Sequence, residues 1–287
     1  MRVVRFETPG GERWLGRVET QSGHDVVVPL LAQRQLPGHD PLREALVMGI
    51  DLAGALPAEA VLELATVRLL APTASPSKVV AIGLNYADHA KESGAAIPER
   101  PMVFTKFPNS IVGPGENIVW REDASRQVDY EAELAVVVGR LARDVARDEA
   151  LDHVFGYTCL NDVSARDAQF ADGQWVRGKS FDTFCPIGPW IVSRDQLPDP
   201  QVLRVQMRLN GETLQDGTTS DMIFGVAELV AYLSRVMTLE PGDVIATGTP
   251  FGVGFARDPQ VFLGDGDVCE VDIEGIGVLR NTCRVSG

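Results

Sequence analysis

The acidic segment of residues 128–138 contains the side chains with the clearest chemical potential. Asp129, Glu131 and Glu133 alternate there with other residues and precede an apolar run. Val and Tyr favour strands, and alternate strand residues point to one side, so the spacing predicts three carboxylates on one face. Glu131 and Glu133 would lie roughly 7 Å apart and repel each other by about 2 kcal/mol at an effective dielectric near 20. A hard divalent cation would offset this repulsion; a solvated acidic face on an edge strand is the open alternative.

A second group of polar residues lies at the end of a strand that is predicted to end in Asp162. Asp162 could supply a third carboxylate to the same cation, and Arg166 and Gln169 follow it on what would be one helical turn. The structural alternative is that Asp162 or Ser164 caps this turn and that Arg166 pairs with Asp167.

Two further segments contain candidate catalytic groups. His89 and Glu92 lie three residues apart in a short predicted helix that Asn85 can cap and Gly94 can end, so a carboxylate could orient the imidazole. Lys179 lies in a predicted loop rich in Gly and Pro, and such loops often place functional groups. Taken singly, a histidine beside a glutamate is more often a surface pair than a catalytic dyad, and a lone lysine such as Lys179 is more often a surface charge.

Strand patterns dominate the elements that would position these residues. A linker composition at residues 71–77 predicts a boundary between a small N-terminal α+β domain, residues 1–71, and a larger domain, residues 72–287. In the first domain we expect strands at 2–7, 14–19 and 25–29 and helices at 41–48 and 58–64. In the second domain, Asn210-Gly211 predicts a hairpin turn, and an apolar periodicity predicts a helix at 225–237.

The composition narrows the functional classes. The 287 residues are 45% hydrophobic and 23% charged, which is typical of a globular protein. The formal net charge of −14 argues against nucleic-acid binding, and no apolar run is long enough to span a membrane. The N-terminus lacks the apolar core of a signal peptide, so a cytoplasmic location is expected. The four scattered cysteines fit buried thiols in a reducing compartment better than a disulfide framework.

Residues 79–281 resemble the fumarylacetoacetate hydrolase superfamily. The resemblance rests on five segments in the expected order: Gly83-Leu84-Asn85-Tyr86-Ala87-Asp88-His89-Ala90, Asp129-Tyr130-Glu131-Ala132-Glu133-Leu134, Asn161-Asp162-Val163-Ser164-Ala165-Arg166-Asp167, Gly178-Lys179-Ser180-Phe181-Asp182, and Pro241-Gly242-Asp243-Val244-Ile245 with Thr247-Gly248-Thr249-Pro250.

The resemblance implies a mainly β fold with α+β elements, in which the C-terminal domain is a mixed β-sandwich or roll. It also implies that the protein is a homodimer. It implies one Mg²⁺ or Mn²⁺ held by Glu131, Glu133 and Asp162, with Asp129 outside the ligand set. Ile82-Gly83-Leu84 occupies the region where the animal branch has an additional carboxylate ligand, which argues against a fourth ligand here. The implied catalytic residues are His89, Glu92 and Lys179, the first two on a lid; the implied substrate contacts are Arg166, Gln169 and Thr249.

The expected function is cleavage of a C–C bond in a 2,4-diketo acid, either an acylpyruvate or a 2,4-diketo-3-deoxy sugar acid. The products would be pyruvate and a second acid, and the enzyme would be a metal-dependent hydrolase of small carboxylates. The alternative on the same site is oxaloacetate decarboxylation or isomerisation of a hydroxymuconate-type diene. A metal-dependent binding protein without turnover is a third hypothesis, which the presence of His89 and Glu92 disfavours.

Overall fold

Strands dominate the computed structural model of the chain, which describes residues 1–34, 36 and 38–287. The strands are β1 (Arg2–Glu7), β2 (Arg13–Gln21), β3 (His24–Ala32), β4 (Leu62–Glu63), β5 (Arg68–Leu70), β6 (Val79–Gly83), β7 (Met102–Lys106), β8 (Ile111–Val112), β9 (Asn117–Arg121), β10 (Val128–Asp129), β11 (Ala132–Val138), β12 (Val154–Asn161), β13 (Ser164–Ala165), β14 (Cys185–Ser193), β15 (Arg204–Leu209), β16 (Glu212–Thr218), β17 (Val244–Ala246), β18 (Val268–Ile273) and β19 (Gly277–Ser286). The helices are α1 (Pro41–Met48), α2 (Ala87–Glu92), α3 (Arg166–Asp172), α4 (Val176–Lys179) and α5 (Val226–Ser234). The predicted mainly β fold is confirmed.

A long mixed sheet runs through the molecule in the order β4-β3-β2-β1-β14-β12-β11-β17-β6-β7. Its pairs are antiparallel except β17–β6 and the added pair β14–β8. A five-stranded sheet, in the order β16-β15-β18-β19-β9, packs against β11, β12 and β14. Leu134 and Val136 of β11 belong to the core shared with this second sheet, whereas Ala135 and Val137 pack on the opposite face. The strand is therefore buried on both faces.

The N-terminal strands continue the sheet that contains the central strands. β1 pairs with β2 on one side and with β14 on the other, where Arg2 lies opposite Val192 and Val3 opposite Ile191. A boundary near residue 71 stays a prediction, but backbone pairing across it joins the two parts of the chain.

The segment predicted as a linker is fastened by one buried carboxylate, Asp40. Its Oδ2 atom accepts hydrogen bonds from Thr73 Oγ1 and from the amides of Ala74 and Ser75, at 2.6–2.9 Å. Its Oδ1 atom accepts from the Leu42 and Arg43 amides and so caps α1. The linker is therefore tied to a helix terminus.

Two local predictions are wrong. The expected helix at 58–64 is replaced by β4, which pairs with β3, and by a 3-10 turn at Leu64–Thr66. Strand pairing outweighed the local helical pattern here, since propensity is a weak prior. Asn85 does not cap α2; its amide donates to the Phe224 and Thr247 carbonyls instead.

Other local predictions hold. Asn210 and Gly211 join β15 to β16 with φ angles of 53° and 85°, as a two-residue hairpin turn requires. The four cysteines are free and buried. Within the described ranges, no helix is long and apolar enough to cross a membrane.

Replacing Asp40 tests whether the linker contributes to stability. Asp40→Ala leaves buried amide donors without an acceptor, so we expect the free energy of unfolding to fall by about 2–4 kcal/mol. Urea unfolding followed by tryptophan fluorescence measures it. Asp51→Ala removes a carboxylate that accepts two amides in an exposed turn and should cost at most about 1 kcal/mol. Equal losses in the two variants would contradict the role of Asp40.

Candidate active site

Three buried carboxylates meet where two central strands lie side by side. β11 and β12 pair antiparallel with Ala132 opposite Asn161, so the start of one strand lies beside the end of the other. This pairing brings Glu131 and Glu133 to Asp162, and one oxygen of each lies within 4.8 Å of the others. The Asp162 amide also donates to the Glu131 carbonyl at 2.9 Å.

The acidic strand is interrupted between Asp129 and Ala132, where the sequence predicted a continuous strand. Within the gap, the Glu131 amide donates to the Asn161 side chain at 3.0 Å. Asp129 and Glu131 nonetheless lie on the same side, because one guanidinium, that of Arg166, binds both carboxylates at 2.7–2.9 Å.

Asp129 also holds a neighbouring turn in place. Its carboxylate accepts hydrogen bonds from the Gly254 and Phe255 amides at 2.8 and 3.1 Å. This contact places the Phe255 ring 4.4 Å from the Arg166 guanidinium carbon. Asp129 therefore orients Arg166, and its place outside the ligand set stays a prediction.

Two predicted cations reach the carboxylate cluster. Lys179, at the end of α4 and not in a loop, donates from Nζ to Glu131 at 2.7 Å and to Asp162 at 3.0 Å. Arg166 begins α3 and donates through its second terminal nitrogen to Gln169 at 3.0 Å. We call Glu131, Glu133 and Asp162, with Arg166 and Lys179, the floor of the site.

Lys106 is a third cation at the site, to which the sequence analysis assigned no role. It ends β7, is fully buried, and donates from Nζ to Asp162 Oδ1 at 2.6 Å, to the Val163 carbonyl at 3.2 Å and to the Lys179 carbonyl. Asp162 therefore has one oxygen on Lys106 and the other on Lys179. A lysine at the end of an apolar strand was the sequence signal that could have identified Lys106.

Burial and neighbouring charges shift the pKa values of the two glutamates in opposite directions. Burial alone would raise the pKa of Glu131, but the Lys179 ammonium and the Arg166 guanidinium lower it to about 2. Burial raises the pKa of Glu133 well above its ordinary value, and repulsion by Asp162 and Glu131 raises it further. Burial lowers the pKa of Lys179, but Asp162 and Glu131 raise it by more, so this ammonium keeps its proton.

The cluster fits a hard divalent cation. All of its donors are carboxylate oxygens, which Mg²⁺ and Mn²⁺ prefer. Glu133 Oε2 accepts one hydrogen bond, from the Gly248 amide at 2.8 Å, while Oε1 has no donor in the described part of the chain. A cation would neutralise the charge that the protein leaves uncompensated at Glu133.

The His89–Glu92 pair approaches the same site on α2. His89 Nδ1 lies 2.8 Å from Glu92 Oε1, and Glu92 Oε2 accepts from the Gly252 amide at 2.9 Å. The carboxylate thus connects the imidazole to the loop that follows β17. A carboxylate on Nδ1 favours a proton there and leaves Nε2 free to accept one.

A cavity of about 250 Å³ joins these groups. All of the predicted site residues line it except Glu92 and Asp162, which lie behind His89 and Lys179. Thr249 lines the wall, but its hydroxyl already donates to the Ala132 carbonyl and accepts from Gln215. The residue roles stay predictions; the structure shows that the residues converge.

Two family models match the chain. Residues 78–284 match the family model described as fumarylacetoacetate (FAA) hydrolase C-terminal, and residues 1–72 match the model described as Rv2993c-like, N-terminal. The chain belongs to the fumarylacetoacetate hydrolase family. The resemblance seen in the sequence is therefore confirmed, and the protein belongs to a family of enzymes that act on small carboxylates.

Individual relatives span several reactions. The chain is 40% identical over 293 residues to a mitochondrial oxaloacetate tautomerase of Xenopus laevis, a match that covers 98% of this chain and 89% of the relative. A 2-hydroxyhepta-2,4-diene-1,7-dioate isomerase structure from Mycobacterium marinum has a TM-score of 0.81 at 38% identity, over 100% and 99% of the two chains. A fumarylacetoacetate hydrolase structure from Exiguobacterium antarcticum has a TM-score of 0.86 at 44% identity, over all of both chains.

Metal binding should weaken as the pH falls. The pKa of Glu133 is raised, so the metal-free site retains a proton there that an incoming cation must displace. We expect Mn²⁺ affinity to fall by up to about tenfold per pH unit below this pKa, as measured by calorimetric titration at several pH values. Glu133→Gln should bind Mn²⁺ far more weakly, with the pH dependence lost; unchanged affinity would remove Glu133 from the ligand set.

Replacing Lys106 tests the buried charge balance. Lys106→Met removes the ammonium that donates to a fully buried Asp162 oxygen. The free energy of unfolding of the metal-free protein should therefore fall by about 3 kcal/mol, as urea unfolding would measure. Saturating Mn²⁺ should restore more stability in the variant than in the wild type. Arg204→Met, which breaks an exposed pair with Asp216, should barely move the midpoint. A Lys106 variant as stable as that control would contradict the role of Lys106 in balancing the buried charge of Asp162.

Proposed function

We propose that this protein is a divalent-metal-dependent tautomerase or isomerase of 2-oxo carboxylic acids, with oxaloacetate as the first substrate to test. One observation carries the proposal: the carboxylate cluster, the floor cations and His89 converge on one small cavity. Proton transfer between the C2 oxygen and a carbon of the substrate needs these groups and no further reactant. The names of the Xenopus and Mycobacterium relatives support this alternative over the hydrolysis that the sequence favoured.

Glu131, Glu133 and Asp162 would hold Mg²⁺ or Mn²⁺, which when bound supplies Lewis-acid chemistry towards the substrate's carboxylate and C2 oxygen. His89 Nε2 would accept the proton from C3 of the keto form and then return the same proton to the C2 oxygen, which gives the enol; the reverse sequence would regenerate the keto form. Glu92 holds His89 in the tautomer that this transfer needs. Lys179 keeps its proton and stabilises negative charge that develops on the C2 oxygen.

Arg166 and Gln169 would orient the substrate. The Gln169 side-chain oxygen accepts from Arg166, which turns the amide nitrogen away from that pair and leaves it able to donate to a substrate carboxylate. The homodimer implied by the family stays a prediction.

Hydrolysis of an acylpyruvate is the second candidate. It is favoured by the relative from Exiguobacterium, whose name is that of a hydrolase. His89 could accept a proton from water as readily as from carbon, so the residues allow both reactions. The two differ in whether a C–C bond is broken.

An assay that follows bonds and tautomers separately tests the proposal. Enol oxaloacetate and acetylpyruvate are each incubated with Mg²⁺-loaded protein, with and without EDTA. Ultraviolet absorbance reports the loss of the enol, and pyruvate is measured separately. We expect EDTA-sensitive enol loss above the buffer rate without stoichiometric pyruvate. Pyruvate with acetate from acetylpyruvate would favour hydrolysis, pyruvate from oxaloacetate would favour decarboxylation, and no reaction would overturn the proposal.

His89→Ala should lower kcat by about 10²- to 10⁴-fold, the usual contribution of a general acid–base group. Mn²⁺ affinity should be unchanged, because His89 contacts none of the three carboxylates through a hydrogen bond. Lys91→Ala, on the exposed side of the same helix, serves as the control and should retain full activity. Undiminished turnover in His89→Ala would contradict the acid–base role.

A further inference from the structure

The cavity changes in character from its floor to its mouth. Arg166, Lys179 and the three carboxylates of the floor are buried. The lining also contains Leu84, Phe104, Trp175 and Phe255, all half-buried, and Phe170, which is 58% exposed. We call these five side chains the rim. The gradient in exposure places the rim at the mouth, beyond the groups that would hold the 2-oxo acid.

The rim is organised as two aromatic pairs. Phe104 and Trp175 meet edge to face, with ring centroids 5.3 Å apart, and Phe170 and Phe255 do so at 5.5 Å. One ring of each pair lies over a floor cation, with the Phe104 ring 5.2 Å from Lys179 Nζ and the Phe255 ring 4.4 Å from the Arg166 guanidinium carbon. Both pairs therefore adjoin the floor, and the second pair reaches the exposed surface through Phe170.

A glycine makes room for one of these rings. A Cβ atom on Gly83 would lie 2.4 Å from Trp175 Cζ3, so any other residue at the end of β6 would displace the indole. The Phe255 ring is likewise fixed through its amide, which donates to Asp129. The rim is a built surface, since the backbone at both sites is arranged around the rings.

Among the residues that the structure describes, no Lys or Arg without a carboxylate partner lines the cavity. Arg166 and Lys179 are the Lys and Arg side chains among the described residues that line the cavity, and carboxylates engage both. Arg177, close to Trp175 in the chain, pairs with Asp172 and does not line the cavity. A second carboxylate placed at the rim would lose water without gaining a partner, whereas an uncharged planar or apolar group would gain contact with the rings.

We infer that the site takes 2-oxo acids whose far end is uncharged, with an aryl group as the best fit, in addition to short dicarboxylates. A four-carbon dicarboxylate is short enough to keep both carboxylates near Arg166 and Gln169. Longer substrates extend between the two aromatic pairs, and there an aryl group is favoured over a carboxylate. This inference rests on the proposed function, since it requires the 2-oxo acid end to bind the floor.

Binding to the Mg²⁺-loaded protein, measured by calorimetry, tests the inference with three probes. Pyruvate reports the floor alone, 2-oxo-4-phenylbutanoate adds an aryl end, and 2-oxoadipate adds a charged end. We expect the aryl probe to bind at least about tenfold tighter than pyruvate, the scale of added apolar contact in a pocket. We expect 2-oxoadipate to bind no tighter than pyruvate.

Two rim variants and one control test whether the rim causes the preference for the aryl probe. Phe170→Ala and Trp175→Leu, which change the two rings that lie over neither floor cation, should each lower the advantage of the aryl probe by about threefold or more while pyruvate affinity stays the same. Phe107→Ala removes a phenylalanine of similar exposure, 53%, that does not line the cavity, and should change neither affinity.

The outcomes separate the inference from the proposed function. Pyruvate binding together with a preference for 2-oxoadipate, or an aryl preference that both rim variants retain, would overturn the role of the rim and leave the proposed function intact. Failure of pyruvate itself to bind would overturn the proposed function, and the inference with it.

Discussion

The excess of buried negative charge at one end of two central strands is the constraint on which the site depends. The side chains of Asp129, Glu131, Glu133 and Asp162 are 7% exposed or less, and their cationic partners Lys106, Arg166 and Lys179 are equally buried. When all are ionised, one negative charge remains, and it falls on Glu133. Buried ions are costly unless they are paired, so a proton or a cation bound at Glu133 would stabilise the folded protein.

This constraint also explains how an acidic protein can bind an acid. The chain carries a formal net charge of −14, which repels anions at long range. A divalent cation at the cluster would turn the local excess into one positive charge. Capture of a 2-oxo carboxylate would then depend on the occupied site, and the surface would contribute little. The aromatic rim adds selectivity for the uncharged end of the substrate without adding charge.

The fold holds these charges by backbone pairing more than by local loops. β11 and β12 are buried on both faces, and the N-terminal strands continue the same sheet through β14. Hydrogen bonds to the Asp40 carboxylate fix the connecting segment, and hydrogen bonds to Asp129 fix the turn that carries Phe255. The site is therefore built on rigid elements, and α2, with His89 and Glu92, is joined to them through Gly252.

Much of this arrangement could be predicted from the sequence, because strand alternation and family motifs are local signals. Alternation placed Asp129, Glu131 and Glu133 on one side, although the strand breaks between Asp129 and Ala132. The helix expected at 58–64 failed because pairing with β3, distant in sequence, decides that segment. Lys106 and the hydrogen bonds of Asn85 were missed for the same reason, since their partners lie 56 to 162 residues away along the chain.

Anomalous X-ray scattering from crystals grown with Mn²⁺ tests the central claim most directly. We predict one strong peak bound by an oxygen from each of Glu131, Glu133 and Asp162, with Lys106 and Lys179 still hydrogen-bonded to Asp162. A saturating Mn²⁺ concentration that leaves this cluster empty, or that places the ion elsewhere, would contradict the account.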